Sequence, residues 1–422
     1  MEHTNRTIRP LTQQDLEAYL DIYLNAYPAY KTLDEACREH YREKHRLELR
    51  EDRQVQTVGL FEGDVLIATM KLILFSMNCF GRMQTACGLM ALEVHPLHKK
   101  QGAALEMIRY FEDYARRHGA LLTLLLPFQI SFYRRMGYGF AGKLYEYHLP
   151  TAVLPKPEGE ARRHLRLLQP EDFDRVLACH SRFAAQNHGM VEKFEEEVRA
   201  ARTDVQVRRI GYCADDGTLR GYVAYRFESA SDTNYTRNRL SVEELVYDDG
   251  VVLRALLGAL KLQEDLAQTV LLRTGEEDFH HLLEDPQDVS GNYIDYGFLQ
   301  TNVSAIGTMF KLLDPAAFVT ATAYRALPQG TLTAAFCYRD ELAHRDCRTV
   351  LRFDGGHWSA LPEEAPAEVT VTCRQGDLAS LLMASCGLEG MVRLGAVAVT
   401  GPWQQLAQLL HYGQKPWLNS DY

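Results

Sequence analysis

The stretch VHPLHKKQGAALEMI, residues 94–108, decides how this chain is expected to fold. It follows CGLMALEV (87–94), whose apolar character predicts a buried strand, and it leads into apolar residues at helical spacing. Basic residues and then Gly119 close that segment, which is typical of a helix C-terminus. ALLTLLL (120–126) is apolar on both faces, like an interior parallel strand. The order strand, loop, helix, strand predicts a βαβ crossover.

The loop before the helix has the composition of an anion-binding site. The first turn of a helix exposes unpaired N–H groups and the positive end of the helix dipole. Gly102, Ala103 and Ala104 are small enough for a diphosphate to approach the backbone, and Lys99 and Lys100 add positive charge. A solvated loop with two surface lysines is the alternative, because such loops are weak signals by themselves.

Length and charge limit the classes of protein to which the chain can belong. The 422 residues suit two or three domains, and 46% hydrophobic with 24% charged residues is an ordinary globular composition. The net charge of -10 argues against a nucleic-acid partner and leaves room for a cationic substrate. No apolar run approaches the ~20 residues of a membrane span, and the polar start shows no signal peptide. We therefore expect a cytoplasmic protein with no membrane partner.

The cysteines and histidines do not indicate a metal site. There are nine cysteines, none in a CxxC pair, which favours reduced and mostly buried thiols. His95 and His98 form a close pair in the loop, but no third ligand is near them in sequence. We expect no metal.

Two segments of the chain resemble each other. RPLTQQDLEAYLDI begins at Arg9 and RLLQPEDFDRVLAC begins at Arg166, and each has an aspartate, Asp15 or Asp172, placed to cap a helix. Each segment is followed by two alternating apolar runs around a turn, which predict a hairpin. A duplicated domain is the better interpretation, although so short a window also allows chance similarity.

Composition divides the chain into three units. The proline-rich stretch 149–164 marks a linker between the two copies, and a third α+β pattern of strands and helices begins after about Gln300. The expected domains are 1–150, 151–300 and 301–422, in a mixed α/β (α+β) protein.

The central loop resembles a known cofactor signature. Val94-x-Pro96, followed by Lys99-x-x-Gly102-x-Ala104, resembles the acetyl-CoA motif of the GNAT acetyltransferase superfamily, with Lys99 in place of the usual Gln or Arg. Together with FYRRMGYGFAG (132–142) and the C-terminal KPWLNSDY, the three-part layout resembles the enhanced-intracellular-survival (Eis) family over the whole chain. That resemblance implies two GNAT-like domains and a sterol-carrier-like domain.

The resemblance also implies an activity. It predicts an N-acetyltransferase that uses acetyl-CoA on primary amines of aminoglycoside, polyamine or lysine type, in a homo-oligomer, a hexamer or trimer. It implies Tyr133 as proton donor and the terminal carboxylate of Tyr422 as general base. Acetyl-CoA contacts are implied for twelve residues: Leu92, Glu93, Val94, Lys99, Lys100, Gln101, Gly102, Ala103, Ala104, Leu105, Phe128 and Gln129.

The second copy departs from the signature, and two alternatives remain open. The second copy reads EELVYDDGVV, and Asp248 and Asp249 stand where a pyrophosphate loop needs positive charge, so this copy is expected to have lost the cofactor. Tyr133 taken alone could be a packed core aromatic. The chain could also be a lipid-binding protein with structural GNAT domains, if residues 391–410 line an open apolar cavity instead of a core.

Overall fold

Three β-sheets with helices packed on them organise the chain in the computed structural model, which describes residues 5–26, 28, 31–51, 54–157 and 159–417. The first unit contains these elements in chain order: β1 (Arg6–Pro10), α1 (Leu16–Ala26), α2 (Glu35–Glu51), β2 (Val55–Glu62), β3 (Val65–Cys79), β4 (Arg82–Val94), α3 (Ala103–Arg117), β5 (Leu122–Leu125), α4 (Ile130–Arg134) and β6 (Gly139–Phe140).

The predicted βαβ crossover is confirmed in this unit. β4 and β5 pair in parallel, from Ala86 opposite Leu122 to Leu89 opposite Leu125, and α3 connects them. The apolar side of α3, which includes Ile108 and Phe111, is buried against the sheet. Gly119 has a φ of 70° just after the helix, in the left-handed region that favours glycine.

The second unit repeats this layout. Its elements are β7 (Lys143–Pro150), α5 (Gly159–Arg162), β8 (Leu165–Leu168), α6 (Phe173–Gln186), α7 (Glu195–Thr203), β9 (Arg208–Cys213), β10 (Leu219–Ser229), β11 (Asn238–Tyr247), α8 (Gly250–Lys261), β12 (Ala267–Thr274) and β13 (Val303–Ile306). β1 to β5 of the first unit correspond in order to β8 to β12, so the sequence repeat is a structural repeat.

Asp15 and Asp172, which were expected to cap the helices that follow them, make a different contact. Neither is an N-cap whose side chain bonds the helix ahead of it; each ends a short 3₁₀ turn. The carboxylate of Asp15 accepts from the backbone N–H of Thr12 at 2.8 Å, and that of Asp172 from Gln169 at 3.0 Å. Each thus closes a capping box at the start of the turn, and the shared geometry supports the duplication.

The strands do not follow the predicted boundaries at 150 and 300. β14 (Met309–Leu312) lies in the first sheet, whose order is β1-β2-β3-β4-β5-β14-β6, while β7 and β13 lie in the second, ordered β13-β7-β12-β11-β10-β9-β8. Each GNAT-like sheet is therefore completed by a strand from outside its predicted segment. Without a further strand, the outer edges of β5 and β12 would expose unpaired backbone N–H and C=O groups. β14 pairs antiparallel with β5, and β7 pairs antiparallel with β12.

The third unit is a smaller mixed sheet of order β17-β16-β15-β18-β19. Its elements are α9 (Pro315–Ala321), β15 (Leu332–Asp340), β16 (Arg345–Asp354), β17 (His357–Leu361), β18 (Val369–Thr372), α10 (Gln375–Leu382), α11 (Leu388–Arg393), β19 (Ala398–Thr400) and α12 (Trp403–Leu410). Val397, Leu406 and Leu409, from the stretch 391–410, are buried in its core. Across the described ranges, no helix is both long and apolar enough to cross a membrane.

Candidate active site

A cleft opens in the first unit where β4 and β5 separate. Their pairing stops at Leu89 and Leu125, yet β4 continues to Val94, so the two strands diverge and leave a space between them. The cleft has a volume of about 440 Å³ and is mainly apolar, with the N-terminus of α3 at one side. Divergent parallel strands that end at a helix N-terminus form a site that can hold an extended ligand with an anionic group.

A β-bulge shapes the wall of this cleft. Thr69 pairs with Glu93 and Lys71 with Met90, so two residues of β4 oppose the single Met70 of β3. One of the two, Ala91, has a φ of 51°, in the left-handed region that non-glycine residues seldom adopt. A bulge leaves an extra residue out of the ladder and disrupts the pairing locally, so the backbone of β4 departs from regular pairing beside the cleft.

The loop after β4 turns sharply to present its backbone. Lys100 and Gly102 have φ values of 62° and 85°, and Gly102 is the N-cap residue of α3. A Cβ placed on Gly102 would meet nothing within 4 Å, so this position faces open space. Lys99 and Lys100 both line the cleft, which gives its mouth positive charge.

Eleven of the twelve residues expected to contact acetyl-CoA line this one cleft. They are Leu92, Glu93, Val94, Lys99, Lys100, Gly102, Ala103, Ala104, Leu105, Phe128 and Gln129. Gln101 is the exception: it is not part of the cleft lining, and its carbonyl accepts from Arg6 Nη1 at 3.1 Å. Arg6 also bonds to Glu62 and Glu106, so it fastens the loop to the first hairpin and to α3.

Tyr133 lies behind the cleft wall. Its side chain is 3% exposed and packs edge-on against the rings of Phe128 and Phe132, whose residues line the cleft. Tyr422, expected to act as the base, and its neighbour Asp421 lie outside the described residues.

The third unit holds the segment that carries Tyr133. Arg134 donates to Asp377 of α10 at 2.8 Å, and the hydroxyl of Ser380 donates to the carbonyl of Phe140 at 2.8 Å. A Cβ on Gly139 would lie 1.8 Å from the carbonyl oxygen of Gly376, so only glycine allows α10 so close. The Gly-Tyr-Gly motif that follows Tyr133 is therefore a contact with another unit, which the sequence did not indicate.

At the corresponding place in the second unit, the described residues present a different helix N-terminus. β11 ends at Tyr247 and α8 begins at Gly250, so almost no loop is left between them. Asp249 accepts from the N–H groups of Val251 and Val252 at 2.9 and 3.0 Å, and it also pairs with Arg220 at 2.7 Å. Hydrogen bonds from the α8 backbone, chiefly that of Val252, and from Arg220 lower the pKa of Asp249. Its carboxylate thus occupies the anion position of this helix.

Three residues of the cleft were missed by the sequence analysis: Ala26, His98 and Phe132. His98 lies 3.9 Å from Glu62 and was interpreted as a solvated loop residue. Phe132 precedes Tyr133 within the quoted motif, and its aromatic ring was the available signal. Ala26 ends α1 and carries no sequence signal. Within the described part of the chain, no group of three or more His, Cys, Asp or Glu side chains is placed to hold a metal ion.

Family models match both repeats. Residues 7–141 match a model described as an acetyltransferase (GNAT) domain, and residues 189–299 match a second acetyltransferase (GNAT) domain model. Together the two matches cover more than half of the chain. No curated protein gives a significant match to the sequence.

Solved structures share the complete three-part fold. A probable N-acyltransferase from Enterococcus faecalis V583 has a TM-score of 0.80 at 16% identity, with all of both chains covered. A GCN5-related N-acetyltransferase from Kribbella flavida has 0.74 at 19%, covering 99% of this chain and 98% of its own. Eis1 from Mycobacterium abscessus has 0.73 at 18%, covering 99% and 100%. At these identities the likeness concerns the fold.

Proposed function

The chain belongs to the GNAT acetyltransferases, and from that premise we propose that its first unit transfers acetyl from acetyl-CoA to a primary amine. The cleft at the α3 N-terminus carries the proposal. It combines exposed helix N–H groups and lysine charge, which suit a pyrophosphate, with an apolar channel between two strands, which suits a pantetheine arm. The acceptor class, which the resemblance puts among aminoglycosides, polyamines and lysine side chains, belongs to the proposal.

The bulge in β4 is the place where the thioester carbonyl oxygen would be stabilised. Attack on a thioester places negative charge on the carbonyl oxygen, and fixed backbone N–H groups stabilise that charge. At the bulge, Ala91 and Leu92 stand opposite the single Met70 of β3, and we assign this role to the backbone N–H groups there. Because the amine attacks the thioester directly, no acyl-enzyme cysteine is required.

We assign proton donation to Tyr133 and contact with the amine to the Tyr422 carboxylate. The departing thiolate benefits from a proton, which a tyrosine hydroxyl can give. An α-carboxyl group has an ordinary pKa of about 3.3–3.7, so it is a weak base, and its main effect is to orient the ammonium. The described chain is anchored at its last residue, because the buried Trp417 packs on Phe183 and its backbone N–H donates to the carbonyl of His188 at 2.7 Å.

Lipid binding is the less favoured function. The apolar residues of 391–410 that face the third sheet, such as Leu406 and Leu409, fill its core. A groove of about 420 Å³ beside α11 and α12 is open to solvent and is lined by polar groups such as Glu389, His411 and Lys415 as well as apolar ones. The sterol-carrier likeness of this unit, like a hexameric or trimeric assembly, stays a prediction.

The direct test is a panel of amine acceptors with acetyl-CoA, followed by detection of the released thiol. We expect release that depends on both substrates, with the acetyl group found on the amine by mass spectrometry. Aminoglycosides, polyamines and lysine peptides would be compared at equal amine concentration. Thiol release that is independent of every amine would contradict the proposed function.

The first prediction concerns Gly102. In Gly102→Val the new side chain enters the space that the pyrophosphate would occupy, so CoA affinity should fall at least about tenfold, the equivalent of ~1.4 kcal/mol. Calorimetric titration of the native protein should give one CoA per chain, because Asp249 fills the second unit's helix N-terminus.

Gly119→Val is the matched control for this variant. Gly119 lies just after the same helix with a φ of 70°, and a Cβ there would also meet nothing within 4 Å. Both variants carry similar backbone strain, about 1–2 kcal/mol, but only one is at the cleft. Equal CoA affinity in the two variants, or two equivalent CoA sites in the native chain, would contradict the assignment.

The second prediction concerns the tail. Appending a few residues after Tyr422 displaces the α-carboxylate, so the extended protein should lose most of its turnover and show a raised KM for the amine. Asp421→Asn removes the neighbouring carboxylate and should retain a good share of the activity. An extended protein that acetylates at the native rate would refute the role of the Tyr422 carboxylate.

A further inference from the structure

The helix that carries Tyr133 is too short to hold its own position. α4 spans only the five residues Ile130–Arg134, and a helix of this length is marginal by itself, because its first turn fixes many backbone angles for few hydrogen bonds. Tyr133 is buried, but Ile130 and the preceding Phe128 are exposed. Contacts from outside the helix therefore decide where the Tyr133 hydroxyl lies.

The first turn of α10 in the third unit supplies such contacts. It consists of Gln375, Gly376 and Asp377, and all three residues are buried. They contact residues 134–139, the segment that follows Tyr133 directly. One turn of a helix in the third unit thus packs along one short segment of the first.

α10 is a rigid support for this segment. Every residue of α10, from Gln375 to Leu382, is buried. Its apolar side chains, such as Leu378 and Leu381, pack in the same core as Phe336 and Val371 of the third sheet. Side chains in such a core are close-packed, so α10 has little freedom to shift.

Two glycines allow the close approach. A Cβ on Gly137 would lie 2.1 Å from the Oε1 of Gln375, and Gly137 has a φ of 89°, in the left-handed region that favours glycine. At Gly139 the atom in the way is the backbone carbonyl oxygen of Gly376, which cannot rotate aside as a side chain can. Backbone contact therefore sets the spacing between α10 and the segment.

An ion pair fixes the end of α4 itself. Nη1 of Arg134, the last residue of α4, donates to Oδ1 of Asp377 at 2.8 Å, and the guanidinium lies 4.8 Å from the centroid of the Phe140 ring. Asp377 is buried and lies in the first turn of α10, where the helix dipole favours a carboxylate. Because Arg134 follows Tyr133 in the same short helix, a shift of Arg134 would also shift Tyr133.

We propose that Asp377 is a positioning residue for the first unit, and that through Arg134 it holds the Tyr133 hydroxyl where the departing sulfur takes its proton. The proposal rests on the proposed function and on the role assigned there to Tyr133, and it gives the third unit a task in catalysis. A displacement of about 1 Å caused far from the reacting atoms can lower a rate by about 10²-fold. The ion pair thus serves the reaction as well as the stability of the fold.

The test is kcat at saturating acetyl-CoA in Asp377→Ala, in Tyr133→Phe and in the double variant. Asp377→Ala should lower kcat by roughly 10–10²-fold and leave the KM for the amine close to native. In the Tyr133→Phe background the same change should alter kcat by less than about twofold, because the hydroxyl that it displaces is already absent. A merely structural role would give the same loss in both backgrounds.

Asp377→Asn keeps the test decisive if the alanine variant does not fold. The asparagine has the same shape and one oxygen that can accept from Arg134, so the variant should fold and have a kcat between those of the native protein and Asp377→Ala. Calorimetric melting temperatures would show that each variant is folded at the assay temperature. The comparison with and without the Tyr133 hydroxyl is then made with Asp377→Asn.

Tyr324→Phe is the matched control, because it removes a different bond between the third and first units. The hydroxyl of Tyr324 donates to the carbonyl of Cys79 at 2.7 Å and accepts from Gln84 at 3.1 Å. This contact lies where β4 begins, whereas the cleft lies where β4 ends. Tyr324→Phe should lower stability by about 1 kcal/mol and leave kcat close to native.

Equal losses in the two backgrounds, or native kcat in Asp377→Ala, would overturn this proposal alone and leave the ion pair as a structural contact. Native turnover in Tyr133→Phe would overturn the role of Tyr133 and this proposal with it. A native protein that acetylates no amine would overturn the proposed function as a whole.

Discussion

Replacing Tyr133 by phenylalanine is expected to lower kcat by roughly 10²–10⁴-fold, the usual effect of losing one acid–base group. The substitution removes the hydroxyl and keeps the ring, which packs against Phe128, Phe132 and Tyr138. Acetyl-CoA affinity should therefore remain near native. Steady-state kinetics with saturating acetyl-CoA, together with a calorimetric titration of CoA, would measure the two quantities separately.

Tyr138→Phe is the matched control for that experiment. Tyr138 is fully buried beside Tyr133, and its hydroxyl accepts a hydrogen bond from Thr123 at 3.2 Å. Loss of this bond should cost about 1 kcal/mol of stability and leave kcat within a few-fold of native. If Tyr133→Phe retained full turnover, or if both variants lost activity equally, Tyr133 would be a packing residue.

The candidate site was largely predictable because it is local in sequence. The loop between β4 and α3 brings charge, small residues and a helix N-terminus together within about ten positions, so no knowledge of distant contacts is needed. The direction of a side chain is harder to predict. Glu93 was expected as one of three consecutive cofactor contacts, and it does line the cleft, but the sequence did not indicate that its side chain is buried beside Thr69.

The sequence pattern did not predict which strands pair when they are distant in the chain. Both β14 and β13 are only four residues long, and such short apolar runs carry no sign of the sheet they will join. The predicted boundary at 300 therefore put both into the third unit. The pattern likewise did not indicate that α10 packs directly against the backbone of Gly139. A glycine shortly after a helix is also typical of an ordinary turn.

The strand that crosses this boundary carries a buried ion pair. Lys311 of β14 is 1% exposed, and its Nζ donates to Glu112 Oε1 of α3 at 2.8 Å and to the carbonyl of Met136 at 2.9 Å. Glu112 is also buried, and Arg116 lies 3.3 Å from its second oxygen. The pair therefore fastens a late strand to the helix that begins the cofactor cleft.

Lys311→Met is expected to lower the free energy of unfolding by about 3–5 kcal/mol, the usual effect of removing one partner of a buried ion pair. The reason is that the Glu112 carboxylate stays buried after its main counter-charge is gone. Urea unfolding of Lys311→Met, Glu112→Gln and the double variant would measure this, and the double variant should lose less than the two single losses added together. The exposed pair of Arg163 and Glu160 gives the control, because Arg163→Met should change stability by less than about 1 kcal/mol. Native stability in Lys311→Met would mean that β14 is held in the first sheet by its strand pairing alone, and that the ion pair is dispensable for the cleft.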